Sequence, residues 1–315
     1  MHFGMRDEFE YIECSRCGCL QIKEIPANLS SYYPTNYYSY SPAKSGCNYT
    51  QTGIRGYKER FIRNRITNYY LNRTSRLGRF LERKSSISGN YSERMNWMRL
   101  QRLNLGLTLK SSILDVGCGT GHLLQDLAAH GFSQLMGIDP FIEHDLVYES
   151  GVRILKQSLD HVDQQFDFIM LHHSFEHLTD PLSVLQRVYS LLKPKRYCLI
   201  RIPLAGSYAW VKYGVNWVAL DAPRHLHLHT PHSMKLLSEQ AGFELADVVF
   251  DGEGFGLIFS EQYLKGIPLV HPNSHFVNPA DSPFSKAEIE AFKQMDQRLN
   301  ATGEADAAGF YLRKN

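Results

Sequence analysis

A glycine-rich turn between a strand and a helix is the feature that most constrains the fold of this chain. The stretch ILDVGCGTGHLL at 113–124 begins with an apolar run, continues through Gly117, Gly119 and Gly121, and ends in helix-forming residues. Glycine has no Cβ, so the backbone at such a turn can approach a ligand closely. The pattern therefore predicts a ligand-binding turn at the N-terminus of a helix.

Strands and helices alternate along the chain from residue 111 onward. Asp180-Pro181 and Thr230-Pro231 are typical N-cap and N1 pairs, and they predict where two of the helices begin. This alternation predicts an α/β fold, namely a Rossmann-like, doubly wound and mostly parallel sheet of seven strands. The predicted strands are 113–117, 135–139, 152–155, 166–171, 198–203, 246–250 and 308–314.

Basic residues are concentrated in one segment. The chain of 315 residues has a formal net charge of +2, yet residues 54–84 contain ten Lys or Arg residues against two Glu residues. Apolar residues recur there at three- and four-residue spacing, which predicts a basic amphipathic helix, then a break at 85–90 and a second helix over 92–105. The basic helix is either a solvated lid over a cofactor cleft or a contact for an anionic acceptor or membrane surface.

The spacing of the glycines separates two classes of cofactor. The dinucleotide fingerprint G-x-G-x-x-G requires a third glycine at position 122, where this chain has His122. Here the pattern is G-x-G-x-G, with Asp115 just before it and Asp139 at the end of the next predicted strand. This pattern resembles motif I of class I S-adenosylmethionine (SAM)-dependent methyltransferases. Asp115 then suits the methionine end of SAM, and Asp139 the ribose hydroxyls. A glycine turn without a ligand is the alternative.

The resemblance covers about residues 110–250. The stretch FDFIMLHHSFEHLTDP at 166–181 is similar to the fourth-strand region of the branch that methylates small molecules and quinone precursors, and DAPRHLHLHTPHSMKLLSEQAGF at 221–243 is similar to another passage of that group. The resemblance implies SAM as the cofactor and places Ser158 and Leu159 near its adenine. We also expect His172 to border the cofactor.

Histidines near the ends of the fourth and fifth predicted strands are the candidate catalytic groups. Methyl transfer to a hydroxyl or a carbon acid needs a general base, and the pKa of histidine lies near neutral pH. The alternation of His225, His227 and His229 places these three on one face of an extended stretch. They could also bind a metal, although no typical motif accompanies them. The candidates for base and acceptor contacts are His225, His173, His177 and Glu176, and His177 could instead be structural.

The N-terminal region contains a possible metal site. Cys14 and Cys17 form a C-x-x-C pair, and the surrounding segment resembles the second half of a zinc ribbon that precedes some of these methyltransferases. Structural zinc takes four ligands, so Cys19, Cys47 and His2 are further candidates, although none has typical spacing. We predict zinc at Cys14 and Cys17. The alternatives are a chain that lacks the first half of the ribbon, or a module that persists without metal.

The sequence divides into three predicted parts. These are a partial zinc-ribbon-like module at 1–50, a basic helical lid or linker at 51–108, and a SAM-binding methyltransferase domain at 109–315 with an insertion at about 204–229. No stretch approaches the roughly 20 apolar residues of a membrane span, and no apolar core of a signal peptide is seen at the start. The clustered cysteines agree with a reducing compartment, so we expect a cytoplasmic protein.

The resemblance also guides the expected acceptor. Relatives with a zinc ribbon modify polysaccharides and deoxysugars, which implies a sugar or glycan intermediate, carried by a nucleotide or a lipid. O-methylation is favoured over C-methylation because the C-methylating relatives usually carry a further C-terminal domain. A quinone-like or other hydrophobic molecule is the alternative acceptor, and a SAM-binding interaction protein without catalysis is the alternative class. DNA is not expected, because LHHSFEHL stands where amino-methylating DNA enzymes have N/D-P-P-Y.

Overall fold

The computed structural model describes residues 2–33, 53–72, 75–84 and 96–315. In chain order its strands are β1 (Tyr11–Glu13), β2 (Leu20–Ile22), β3 (Ser112–Val116), β4 (Gln134–Ile138), β5 (Leu146–Val147), β6 (Arg153–Leu155), β7 (Phe166–His172), β8 (Leu192–Pro203), β9 (His227–Leu228), β10 (Glu244–Phe250) and β11 (Ala307–Arg313). Its α-helices are α1 (Gly53–Asn72), α2 (Arg76–Lys84), α3 (Asn96–Leu100), α4 (His122–Ala129), α5 (Pro181–Leu191), α6 (Tyr208–Tyr213), α7 (Pro231–Gln240), α8 (Phe255–Leu264) and α9 (Lys286–Thr302).

The main sheet has the order β10-β11-β8-β7-β3-β4-β6-β5. Neighbours from β6 to β8 are parallel, whereas β11 runs antiparallel between β8 and β10. All seven predicted strands are present, and the predicted α/β, Rossmann-like and mostly parallel sheet is confirmed; the eighth strand, β5, is a two-residue antiparallel edge. Strand order reverses between β3 and β7, which is where open α/β sheets bind ligands at the carboxyl ends of their strands.

The sheet is buried on both faces, which explains why its central strands are nearly continuous apolar runs. Successive side chains of a strand point to opposite faces. Ile113 and Phe168 accordingly pack on one face together with Trp97, whereas Leu114 and Ile169 pack on the other. Burial of each such side chain stabilises the fold by roughly 1.5–3 kcal/mol. This packing fixes the positions of the loops that follow β3 and β7.

The predicted basic helix over 54–84 is wrong as a single element, because the structure has α1 and α2 with non-helical Ser75 between them. Ile66 and Leu71 of α1 are buried in the core, whereas Tyr57 is largely exposed. Arg63 Nη1 donates to the Ala129 carbonyl oxygen at the C-terminal end of α4, which is the end remote from the glycine turn. The second predicted helix ends earlier than predicted, at Leu100 of α3, while its predicted start and the predicted break lie outside the described residues.

The N-terminal hairpin joins the predicted insertion. Strand β2 pairs with β1 and also with β9, so that β1, β2 and β9 form a second, three-stranded sheet. Leu20 from the hairpin packs with Leu228 and Trp217 of the insertion in one apolar cluster. The N-terminal residues described here therefore lie against the same segment that carries His225 and its neighbours.

The segment between β10 and β11 contains helices that the sequence did not reveal to us. Helix α8 is apolar on most sides, with Leu257, Phe259 and Tyr263 all buried, so it lacks the one-sided pattern of a surface helix. Helix α9 begins with a capping box formed by Ser285 and Glu288. Among the described helices, none combines the length and apolar character required for a membrane crossing.

Candidate active site

The glycine turn lies at the carboxyl end of β3, against the loop that follows β7. Gly117, Gly119 and Gly121 have φ angles of +72°, +53° and +83°, a backbone region that residues with a side chain rarely adopt. A Cβ on Gly117 would lie 2.5 Å from Cβ of Ser174, and Ser174 Oγ donates to the Val116 carbonyl oxygen at 2.7 Å. The backbone of the turn therefore packs so closely on Ser174 that any side chain at position 117 would clash.

Asp139 holds the same turn from β4. Its Oδ2 accepts a hydrogen bond from the Gly119 amide, and its Oδ1 accepts one from the Phe141 amide, each at 2.9 Å. Each carboxylate oxygen keeps a further lone pair, so Asp139 can shape the turn and still accept from ribose hydroxyls. Burial raises the pKa of this carboxyl, and the two amides oppose that effect.

Asp115 is the second acid of the predicted cofactor site. It is 3% exposed, and burial, helped by the charge of Asp139, raises its pKa to about 8. A neutral carboxyl in this place would ionise when a cationic group arrives, because an opposite charge favours the charged form. The ammonium of the methionine end of SAM is such a group.

The remaining predicted cofactor residues lie in different surroundings and make different contacts. Ser158 Oγ lies 2.9 Å from Nδ1 of His161, and the side chain of Leu159 belongs to the main apolar core. His172 ends β7 and is half-buried; its Nε2 is buried and has no hydrogen-bond partner among the described residues. Burial lowers the pKa of His172 well below its ordinary value. The adenine contacts of Ser158 and Leu159 stay predictions.

The loop after β7 brings its candidate catalytic groups together with the insertion. His173 has a φ angle of +50°, and residues 175–177 then form one short 3-10 turn. The Leu226 amide donates to the carbonyl oxygen of Glu176 at 2.8 Å, which fixes the two segments side by side. As a result the rings of His177 and His225 lie 4.8 Å apart.

The hydrogen bonds of the two rings define their tautomers. Nδ1 of His177 lies 2.8 Å from the Arg224 carbonyl oxygen, and Nδ1 of His225 lies 2.7 Å from that of Ala219. A carbonyl oxygen only accepts, so each Nδ1 carries a hydrogen, and in a neutral ring the lone pair then lies on Nε2. Burial, assisted by His177, lowers the pKa of His225 to about 4, so this ring is neutral at physiological pH.

Glu176 is a buried carboxylate beside these rings. It is 1% exposed, and neither of its oxygens has a hydrogen-bond partner in the described part of the chain. Oε1 lies 3.5 Å from His173 Nδ1 and 3.9 Å from His225 Nε2. Burial alone would raise the pKa of Glu176, but its interactions with the three neighbouring histidines outweigh burial and lower it to about 2.

The three alternating histidines of the insertion are not gathered into one site. His227 Nδ1 lies 3.0 Å from the Leu178 carbonyl oxygen, whereas His229 Nδ1 lies 3.2 Å from Ser233 Oγ. The ring of His225 is directed to a third partner, the Ala219 carbonyl. The hypothesis of a shared metal for these three is therefore wrong for the conformation described.

Two tyrosines of the N-terminal region contact the candidate catalytic residues, Tyr11 at the backbone of His225 and Tyr33 at the ring of His177. Tyr11 donates from its hydroxyl to the His225 carbonyl oxygen at 2.8 Å, and the Tyr33 hydroxyl lies 3.3 Å from His177 Nδ1. The first of these pairs is separated by 214 residues and the second by 144. No local sequence pattern reports contacts of such range.

The predicted zinc ligands occupy the turn between β1 and β2. The Gly18 amide donates to the Cys14 carbonyl oxygen at 2.7 Å. The amides of Cys17 and Arg16 bond to the Cys14 thiol and lower its pKa. His2, a further candidate, is instead paired with Asp221 at 2.8 Å, and Cys47 lies outside the described residues. Zinc at Cys14 and Cys17 stays a prediction.

The parallel sheet with its reversal at β3 and β7, together with a G-x-G-x-G turn held by the acid that ends β4, defines a class I SAM-dependent methyltransferase. Residues 70–248, more than half of the chain, match the methyltransferase-domain family, and the chain belongs to that family. SAM is its cofactor.

Two curated proteins that are similar to this chain are both named as ubiquinone biosynthesis O-methyltransferases. A ubiquinone biosynthesis O-methyltransferase of Pseudomonas fluorescens is 29% identical over 175 residues, which are 50% of this chain and 72% of the relative. The enzyme of that name from Pseudomonas paraeruginosa is 30% identical over 177 residues, with the same coverage. Among solved structures, a SAM-dependent methyltransferase of Thermotoga maritima, described as a possible histamine N-methyltransferase, is 14% identical with a TM-score of 0.42, covering 81% of this chain and 99% of that one.

Proposed function

We propose that this protein transfers the methyl group of SAM to a hydroxyl oxygen of a small molecule. The observation that carries the proposal is the buried, neutral imidazole of His225, whose Nε2 carries a lone pair and whose ring lies 4.8 Å from that of His177. A neutral imidazole can accept the hydroxyl proton as the oxygen attacks. An acceptor that is already nucleophilic, such as an amine free base, would not require these groups.

In this reaction the acceptor oxygen forms a bond to the methyl carbon while the bond between that carbon and sulfur breaks. The sulfur keeps the electron pair and leaves as S-adenosylhomocysteine (SAH), and the hydroxyl proton leaves the acceptor. His225 is our first candidate for assisting its removal, followed by His177. His173 and Glu176 complete the proposed set, although the Arg201 guanidinium bonds to Nε2 of His173 and so reduces its capacity to accept a proton.

SAM would occupy the carboxyl edge between β3 and β4. We assign the turn itself to the methionine end and the sugar, with Asp115 at the ammonium and Asp139 at the ribose, and we keep the adenine and border contacts predicted from the sequence. The proposed cofactor residues are Asp115, Gly117, Gly119, Gly121, Asp139, Ser158, Leu159 and His172.

For the acceptor we favour a sugar or glycan intermediate carried by a nucleotide or a lipid. The support is the N-terminal region with its C-x-x-C turn, which resembles the module of sugar-modifying relatives. It contacts the backbone of His225 through Tyr11 and the ring of His177 through Tyr33. Exposed arginines on α1 and α2, among them Arg60 and Arg79, offer phosphate contacts. The same surface exposes Tyr57, so it also suits peripheral contact with an anionic membrane. We place the protein in the cytoplasm.

The names of the curated relatives support a second acceptor class, a quinone-like phenol, and both acceptor classes carry hydroxyl groups. The third hypothesis is a protein that binds SAM but does not catalyse methyl transfer. One experiment separates them: purified protein is incubated with SAM and a panel of nucleotide sugars, lipid-linked sugars and phenols, and SAH is quantified. Acceptor-dependent SAH formation supports the enzyme. SAH binding measured by calorimetry without any turnover, over a panel that includes extracts, would favour the binding protein.

A further inference from the structure

Glu176, His177 and His225 form a compact group of metal-ligand side chains. One ligand atom from each of the three lies within 4.8 Å of the others, and two of the three residues are buried. Three ligand atoms spaced evenly around one divalent ion at 2.0–2.2 Å lie about 3.5–3.8 Å apart, so the side chains would have to close by about 1 Å for all three to bind one ion.

The imidazoles are already oriented as metal ligands are. Histidine ligands usually donate their second ring N–H to a carboxylate or backbone carbonyl, which fixes the tautomer and leaves the other nitrogen for the metal. His177 and His225 both donate from Nδ1 to backbone carbonyl oxygens, those of Arg224 and Ala219. A cation at the two Nε2 atoms would therefore find this support in place.

Glu176 supplies an independent reason to expect a cation. Both of its oxygens are buried without a hydrogen-bond partner among the described residues, and the contacts of Oε1 with His173 Nδ1 and His225 Nε2 are long, at 3.5 and 3.9 Å. Arg201 of β8 is paired with Asp251 at 2.6 Å and bonds to His173, and it makes no hydrogen bond to the buried oxygens of Glu176 in the described part of the chain. A buried carboxylate is expensive unless it is paired or coordinates a metal.

We propose that Glu176, His177 and His225 bind a divalent transition-metal cation. Two imidazoles and one carboxylate are the ligand set of sites that hold iron, zinc, cobalt or manganese and leave further positions open. Magnesium and calcium prefer sites made of oxygen atoms only, so this donor set disfavours them.

The open coordination positions would let the cation take part in the reaction. This role rests on the proposed function, whereas cation binding does not depend on it. An acceptor hydroxyl bound to the cation becomes more acidic, as metal-bound water does. With the cation bound, the Nε2 lone pairs would be occupied, so the acidified hydroxyl would lose its proton to water and not to His225. The oxygen attacks the methyl carbon, SAH leaves, and the oxidation state of the metal does not change.

The test is a titration of the full-length protein with Co²⁺, which reports its ligands by visible absorption, in parallel with calorimetry. We compare the wild type with Glu176→Gln and His177→Asn. Asparagine can still donate from the position of Nδ1 and removes only Nε2, so it leaves the bond to Arg224 in place. His232→Asn, on the exposed start of α7, removes an imidazole elsewhere and is the control. SAH affinity shows for each variant that the cofactor site is folded.

We expect about one equivalent of Co²⁺ in a nitrogen- and oxygen-ligated site, unchanged in His232→Asn. Affinity should fall in both test variants by more than the roughly 10–100-fold that follows loss of an outer-shell partner. Cobalt at Cys14 and Cys17 would show intense thiolate charge-transfer bands and disappear in the C14S/C17S variant. If one of the two test variants loses SAH binding, the Co²⁺ affinity of the other test variant is the deciding measurement.

Two outcomes overturn the inference while the proposed function stands. One is wild-type protein that binds SAH but takes up no Co²⁺ outside the cysteines. The other is Co²⁺ affinity that stays the same in every test variant that retains SAH binding. Failure of the proposed function looks different, since Co²⁺ would then bind at the three residues but no acceptor would be methylated with any added metal.

Discussion

Replacing Gly117 by alanine should destabilise the protein through two separable effects. The first is backbone strain, since a φ of +72° costs a residue with a Cβ roughly 1–2 kcal/mol. The second is a clash, since the new Cβ would lie 2.5 Å from that of Ser174. Ser174 is tied to the Val116 carbonyl, so it cannot move without breaking a hydrogen bond. Overpacking of this kind costs typically 1–3 kcal/mol. The sum is roughly 2–5 kcal/mol.

Gly151→Ala is the matched control. Gly151 has a φ of +85°, and a Cβ there would have nothing within 4 Å, so only the strain applies. Chemical denaturation of both variants gives the difference in unfolding free energy, which we expect to be about 1–3 kcal/mol larger for Gly117→Ala. SAH affinity should fall only in Gly117→Ala. Equal losses of stability in the two variants, within about 0.5 kcal/mol, would refute the close packing of the turn on the loop after β7.

Three further predictions concern the cofactor and the N-terminal region. Asp139→Ala should lower SAH affinity at least ten-fold by calorimetry, because ribose hydroxyls lose their acceptor and the Gly119 amide its partner; unchanged affinity would place the ribose acid elsewhere. Asp115, with a pKa of about 8, holds a proton at pH 7, so SAH binding should release close to one proton. Calorimetry in buffers of different ionisation enthalpy measures this release, which should be absent in Asp115→Asn. The contribution of Asp115 to the stability of the free protein should fall as the pH rises from about 4 to about 8, because the unfolded chain has already lost that proton. Cys14→Ser should release zinc if it is bound, while elemental analysis that finds no zinc in unchelated protein would remove the metal prediction.

The main sheet was predictable because its signals are local. Each of the seven predicted strands is a largely apolar run of a few residues, and the Asp180-Pro181 and Thr230-Pro231 pairs stand where α5 and α7 begin. The start of β8 shows the limit of such signals: α5 ends at Leu191 and β8 begins at Leu192, six residues before the predicted strand at 198–203. Burial against neighbouring strands, which a single sequence does not reveal, extends the element.

The candidate site was predicted in its residue types and only partly in its geometry. The sequence placed Glu176, His177 and His225 at one edge of the sheet, and the structure brings them together. It could not show that both Nδ1 atoms face carbonyl oxygens, nor that Tyr33 reaches the site from the N-terminal region. Helix α8 escaped prediction because it is buried on most sides, so its apolar residues show no helical period.

The most direct test of the central claim is transfer of an isotope-labelled methyl group from SAM to an acceptor, followed by locating the label in the product. We predict label on a hydroxyl oxygen, with stoichiometric SAH, and a loss of turnover of roughly 100-fold or more in His225→Asn. That variant can retain the bond to the Ala219 carbonyl and removes only Nε2, so SAH affinity should stay near that of the wild type. Label on carbon, or full turnover in His225→Asn, would contradict the account.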